Sequence, residues 1–376
     1  MVSTRIISTS TIGAANHKHN EPTLKVELTP WDLQFLLVGP IQKGLLFLKP
    51  ASSSYIQQLK ASLSRTLDFF GPLAGRPATV EHGDGSKNNT SFYFDCNNAG
   101  ALFVHAAADG VTVADITDPV YVPSSLVDSF FPLNGTKNTE GISIPSFAVQ
   151  VTELENGIFI GCTMSHVVGD GTSFWHFLNS WSEICRGLAD LSKPPVHKRC
   201  FLDGSDSPIL IPGLTNKQEL SKSFNPPPLK ERIFHFTKTK IAQLKATANA
   251  EIGTNKISSL QALFSHLWRG VVRSRSLDPD QETQFWLLVG TRSRLNPPLP
   301  EGYFGNAVQP AAVTLKAKEM LDNGLGYTAR QMNNTVACNT EEKSRNFFKD
   351  WIENPKLTTV GNLPANAFNY QQFAEV

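Results

Sequence analysis

The run Ser165-His166-Val167-Val168-Gly169-Asp170-Gly171 sets a histidine and an aspartate four positions apart among small residues. Three kinds of chemistry use such a pair. A catalytic zinc needs about three protein ligands. Only two candidates stand here, no HExxH accompanies them, and His176 lies between Trp175 and Phe177, a setting that speaks for packing. The second use is a buried ion pair with no chemistry at all. The third is acid–base catalysis, because histidine is the side chain whose unperturbed pKa best suits proton transfer near neutral pH. In that reading His166 takes a proton from an acceptor hydroxyl or amine as it attacks a carbonyl, and no enzyme nucleophile is needed. The serine-hydrolase pattern GxSxG is absent. Asp170 would then either polarise His166 directly or pair with an arginine and hold the turn in shape. Gly169 and Gly171 permit close backbone approach around it.

Position favours the acid–base reading. Residues 157–165, GIFIGCTMS, read as a buried strand that delivers the chain into the motif, and residues 172–187 read as a helix leaving it. A turn at the end of a buried strand is where active sites of α/β proteins tend to lie. Residues 146–154 form the partner of that strand in a hairpin across Glu155-Asn156. Upstream, residues 4–12 are rich in β-branched types and read as a first strand. Residues 54–70 read as an amphipathic helix stopped by Gly71-Pro72. Residues 92–96 and 101–108 read as strands on either side of a turn at 97–100. From 188 to 230 the chain is rich in Pro, Gly and Ser without period, and reads as a crossover between domains at 1–187 and 231–376. The second half shows a helix over 258–275 capped at Ser258 or Ser259, a buried strand opening 283–294, a turn-rich segment over 295–306, and one or two helices over 328–355. Strands and helices interleave, which implies an α/β or α+β class.

Composition narrows the function. A net charge of +1 over 376 residues argues against nucleic-acid or membrane-surface binding. The five cysteines are odd in number, widely spaced and without a CxxC pair, so buried free thiols in a reducing compartment are expected. No apolar run reaches membrane-spanning length; residues 33–48 are broken by Gly39, Pro40, Gln42, Lys43 and Gly44.

Four further stretches, LTPWDL (28–33), LSRTLDFFGPLAGR (63–76), ISSLQALFSHLWRGVVRSR (257–275) and TRSRLNPPLPEGYFGN (291–306), stand in order around SHVVGDG. Together they resemble the plant BAHD acyltransferases over nearly the whole chain, to about Pro355. The resemblance implies a mixed-sheet α/β fold of two chloramphenicol-acetyltransferase-like domains with a channel between them. It implies transfer of an acyl group from a CoA thioester, acetyl first, to an alcohol or amine of a specialised metabolite such as a terpenoid or phenolic. It further implies a cytoplasmic monomer with acyl-CoA and a small acceptor as its partners, no bound cofactor and no metal. The family's general base falls on His166, and its structural aspartate on Asp170 with Gly169 and Gly171 beside it. The arginine partner falls on Arg292, with Arg294 as competitor. CoA contacts fall near Lys256, Ser258 and Ser259. Arg76 of PLAGR reads as a turn or packing residue, and Trp31 and Asp32 as pocket border or core. One feature departs: the family's C-terminal DFGWG is missing, and after Pro355 the chain runs KLTTVGNLPANAFNYQQFAEV. The expectation is a second domain incomplete at its C-terminus. The alternative function is a truncated product that binds ligand without turnover.

Overall fold

The computed structural model describes residues 4–17, 23–83, 89–121, 123–202, 204, 208–212, 231–358 and 367–369. In the first half the strands are β1 (Arg5–Ile12), β2 (Lys25–Glu27), β3 (Ile41–Leu48), β4 (Arg76–His82), β5 (Asn89–Asp95), β6 (Ala101–Ala107), β7 (Phe147–Glu153) and β8 (Gly157–Met164). The helices that matter for the site are α1 (Pro30–Leu33), α2 (Tyr55–Leu67) and α3 (Gly171–Cys185). Five strands make one sheet in the order β1-β6-β7-β8-β3. Only β6 and β7 run parallel, so the sheet is mixed. Every residue of β8 is buried, as its unbroken apolar run requires. Helix α3 lays Phe174, Phe177, Leu178 and Trp181 into the core of this sheet, beside Leu63 and Leu67 of α2.

The expected 146–165 hairpin forms, with Phe147 opposite Met164. The strands around residues 97–100 do not pair with each other. β5 joins β2 and β4 in a second sheet, whereas β6 enters the main one. Gly100 sits at the transfer with φ +91, and a Cβ there would meet Thr11 Cγ2 at 2.4 Å. The α2 segment stops at Leu67, before Gly71-Pro72, because those residues open a short helix of their own (Gly71–Ala74). Proline is tolerated in a first helical turn, where its missing N–H costs nothing.

The region expected to be a simple crossover is packed along its described part. A short strand β9 (Ile211–Pro212) pairs with β5. Val196 N–H donates to Gly302 O at 2.8 Å, and Phe304 N–H to Val196 O at 2.9 Å. Residues 213–230 lie outside the described residues. In the second half, α4 (Lys238–Glu251), α5 (Ser259–Arg275), α6 (Gly324–Ala337) and α7 (Glu341–Glu353) accompany β10 (Glu282–Gly290), β11 (Val308–Lys316) and β12 (Ala367–Asn369). β10 pairs antiparallel with β11 and parallel with β12. Trp268 of α5, Phe285 of β10 and Met332 of α6 anchor the core of this half. Residues 359–366 and 370–376, where most of the departure after Pro355 falls, lie outside the described residues. All five cysteines are free thiols, but only Cys162 is buried; Cys338, at the exposed end of α6, is not. Among the described residues no helix is long and apolar enough to cross a membrane.

Candidate active site

β8 ends at Met164, and the next six residues turn the chain into α3. Asp170 is the N-cap of α3: its backbone is extended, and its Oδ1 accepts the Ser173 N–H at 3.1 Å. Gly169 is needed beside it, since a Cβ there would meet Ser173 Cβ at 2.7 Å.

The carboxylate of Asp170 points to the second half of the molecule. Arg292, just past β10, donates Nη1 to Oδ2 at 2.7 Å and Nη2 to Oδ1 at 2.8 Å. Ala307 N–H adds a bond to Oδ2 at 2.9 Å. Burial opposes the charge, but the Arg292 guanidinium and the Ala307 and Ser173 amides prevail and hold this carboxyl below the usual Asp range. Arg294 is not the partner; it donates to the carbonyls of Gly290 and Asn339.

A second buried ion pair lies beside the first. Asp32 of α1 accepts Arg199 Nε at 3.1 Å, with both side chains almost fully enclosed. Arg199 also donates to Val168 O at 2.9 Å, inside the motif, and to Phe304 O. Gly305 leaves room for it, because a Cβ there would come within 2.3 Å of Arg199 Nη1. Asn306 completes the joint: its Nδ2 reaches Asp32 Oδ1 at 2.9 Å and His166 O at 2.8 Å.

His166 is thus held by its backbone on both sides. Its N–H donates to Asn138 Oδ1 at 3.0 Å, and its carbonyl accepts from Asn306. The imidazole stacks on Phe35, with centroids 3.9 Å apart and planes 19° from parallel. Nδ1 is buried without a partner, while the residue as a whole keeps 9% of its surface exposed. Burial lowers the His166 pKa below its ordinary value; its own carbonyl, Asp170, Asn306 and Asp32 pull the other way and are outweighed. The ring is therefore neutral near pH 7. His176 is a packing residue, bonded to Lys193 O and set edge-on against Phe70.

The structure brings His166, Asp170, Arg292, Gly169 and Gly171 together, and leaves Lys256, Ser258 and Ser259 apart from them. Ser258 caps α5, accepting Gln261 N–H at 3.2 Å. Ser259 lines a groove of about 650 Å³ with Lys238, Lys245, Asn249 and Asn255, whereas Lys256 is exposed outside that lining. Arg76 braces a turn through the carbonyls of Gly75 and Gly100. Trp31 and Asp32 are buried, Asp32 as an anchor of the site. Sequence reasoning missed Arg199, Asn138, Phe35 and the role of Asn306. Asn306 ends the quoted GYFGN run, so its loop was visible; Arg199 sits in an aperiodic stretch and left no signal.

The family model described as Transferase family matches residues 2–371. An uncharacterised acetyltransferase of Arabidopsis thaliana is 40% identical over 341 residues, covering 90% of this chain and 76% of the relative. The BAHD acyltransferase DCR of the same plant is 32% identical over 369 residues, covering 90% of this chain and 74% of that one. Among solved structures, vinorine synthase superposes with a TM-score of 0.66 at 21% identity, covering 98% of this chain and 83% of that one.

Proposed function

The chain belongs to the Transferase family, among the plant BAHD acyltransferases, and on that premise we propose that it moves an acetyl group from CoA to a hydroxyl of a terpenoid or phenolic metabolite, with His166 as general base. Acyl-CoA-dependent acyl transfer is the activity of the family. The observation that carries the role of His166 is its clamped backbone combined with burial that keeps the imidazole neutral.

The acceptor hydroxyl attacks the thioester carbonyl while His166 takes its proton through Nε2, because Nδ1 is sealed in protein. The tetrahedral oxyanion collapses and the C–S bond breaks. The CoA thiolate takes the proton back from the imidazolium, leaving ester and free thiol. Holding both substrates in one site contributes up to about 7–11 kcal/mol, and the base adds roughly 10²–10⁴-fold. Asp170 is a brace: both its oxygens are taken by Arg292 and backbone amides. The Lys256, Ser258 and Ser259 region takes the nucleotide end of CoA. It is supported by Lys238 and Lys245 in the groove that Ser259 lines and by the start of a 17-residue helix, α5, which favours anions.

The test is release of CoA thiol by the purified chain across a panel of acyl-CoAs and hydroxyl or amine acceptors. Acetyl-CoA with a hydroxyl acceptor should give the fastest release, and His166→Ala should lose roughly 10²–10⁴-fold. A folded chain that releases no thiol with any pair, or a His166→Ala variant with unchanged turnover, refutes the reading.

A further inference from the structure

Asn138 lies on a 3₁₀ turn (Asn138–Ile142), remote in sequence from both α1 and the His166 turn. It is 4% exposed, and its amide uses both ends. Oδ1 accepts the His166 N–H at 3.0 Å and the Ser165 hydroxyl at 3.1 Å. Nδ2 donates to Phe35 O at 2.9 Å and to Gly39 O at 3.3 Å. The backbone tightens the same junction, with Asn138 N–H on Val38 O at 3.0 Å and Thr139 N–H on Leu36 O at 3.0 Å. One side chain therefore ties the segment that carries Phe35 to the segment that carries His166, and those two residues stack ring on ring.

We infer that Phe35 and Asn138 act together as positioning residues for His166: the phenyl ring sets the plane of the imidazole and keeps water from one of its faces, and the amide fixes the spacing of the two backbones. The inference rests on the proposed role of His166 as base. Nδ1 makes no hydrogen bond, so no bond on that side of the ring fixes its torsion. The stack at 3.9 Å supplies that constraint instead. The charged groups facing His166 are Asp170 and Asp32, each neutralised by its own arginine, Arg292 and Arg199. Charge near the ring is thus balanced, and dehydration by the surrounding packing governs its proton affinity.

Two substitutions separate orientation from dehydration. Phe35→Leu keeps the site apolar but removes the flat partner. It should lower kcat about 10–100-fold, as a misplaced base does, with KM for the donor changed less than about twofold. Phe35→Ala opens one face of the imidazole to water. The His166 midpoint, read by NMR of histidine-labelled full chain without substrates, should then rise toward the ordinary value of about 6.5. The acid limb of kcat/KM should move up with it. Asn138→Ala should shift the midpoint in the same direction. A purely structural role would lower the melting temperature and the active fraction while leaving the limb in place. A folded Phe35→Ala with the wild-type midpoint and kcat overturns the proposal. If Phe35→Ala does not fold, Phe35→Leu decides: kcat within twofold of wild type overturns it. If the wild-type chain releases no CoA with any substrate pair, the acyltransfer reading fails, and the NMR midpoints alone then decide the positioning claim.

Discussion

Replacing Asp170 by Asn changes one atom and removes one charge, and the structure shows what each loss does. The carboxylate accepts four bonds: two from Arg292, one from Ala307 N–H and one from Ser173 N–H. An amide offers one oxygen, so in either orientation its NH₂ faces one Arg292 N–H and one backbone N–H, donor against donor. Arg292 is left with its charge largely buried, its side chain only 18% exposed. Breaking a buried pair in this way costs about 3–5 kcal/mol, against a total stability on the order of 5–15 kcal/mol. At about 2 °C per kcal/mol for a long chain, Asp170→Asn should melt roughly 6–10 °C below wild type. Activity should fall as well, because the Asp170 turn carries His166. The pH dependence has a definite sign. The folded-state pKa of Asp170 is depressed, so its stabilisation is fully present above the unfolded Asp value of about 3.9 and is lost as pH falls through the folded value. The gap in melting temperature between wild type and variant should therefore be largest near neutrality and narrow below about pH 4. Thermal melts across pH, together with thiol release at saturating substrates, read both effects. A variant that melts like wild type yet has lost its activity would refute the brace and favour direct polarisation of His166.

Two further outcomes follow from the same geometry. Because burial lowers the His166 pKa, wild-type kcat/KM should stay flat as pH drops through about 6.5 and fall only at lower pH, where the imidazole takes a proton; a midpoint above 6.5 in the rate profile would contradict a dehydrated base. Lys256→Ala and Ser259→Ala should raise KM for the acyl-CoA several-fold and leave kcat near wild type, since the CoA nucleotide would be bound equally in ground and transition states; initial rates at varied donor concentration check this, and an unchanged KM in both variants removes the assignment.

The parts of the site that were legible in the sequence are the local ones. His166 and Asp170 share one turn between a wholly apolar strand and an amphipathic helix, and that pattern is written in consecutive residues. Arg292 was reachable through its resemblance-bearing stretch, and Arg294 two positions on could be set aside only by geometry. Phe35, Asn138 and Arg199 were not reachable. Each acts through contacts with partners far along the chain: Asn138 is 28 residues from His166, and Arg199 is 167 from Asp32. A lone asparagine has no period to announce it, and the prolines around Arg199 suggested a loose connector. The same gap explains the strands around residues 97–100. Strand propensity marked both of them, but which sheet each joins is decided by β1 and β4, which the turn residues do not encode.

The two buried ion pairs also bear on how the site is assembled. Asp170 and Asp32 belong to the first half, and their partners come from the second half and from the segment between the halves. Arg199 then reaches Val168 O and Phe304 O, so one guanidinium holds the motif turn and the 302–307 loop together. Asn306 does the same from the other side, bridging Asp32 and the His166 carbonyl. Within a single half, each charge would be left without its partner at a cost of several kcal/mol. The halves are therefore joined at the very turn that carries His166. The position of His166 depends on that joint being closed, and any substitution that loosens it should lower turnover before it unfolds either core.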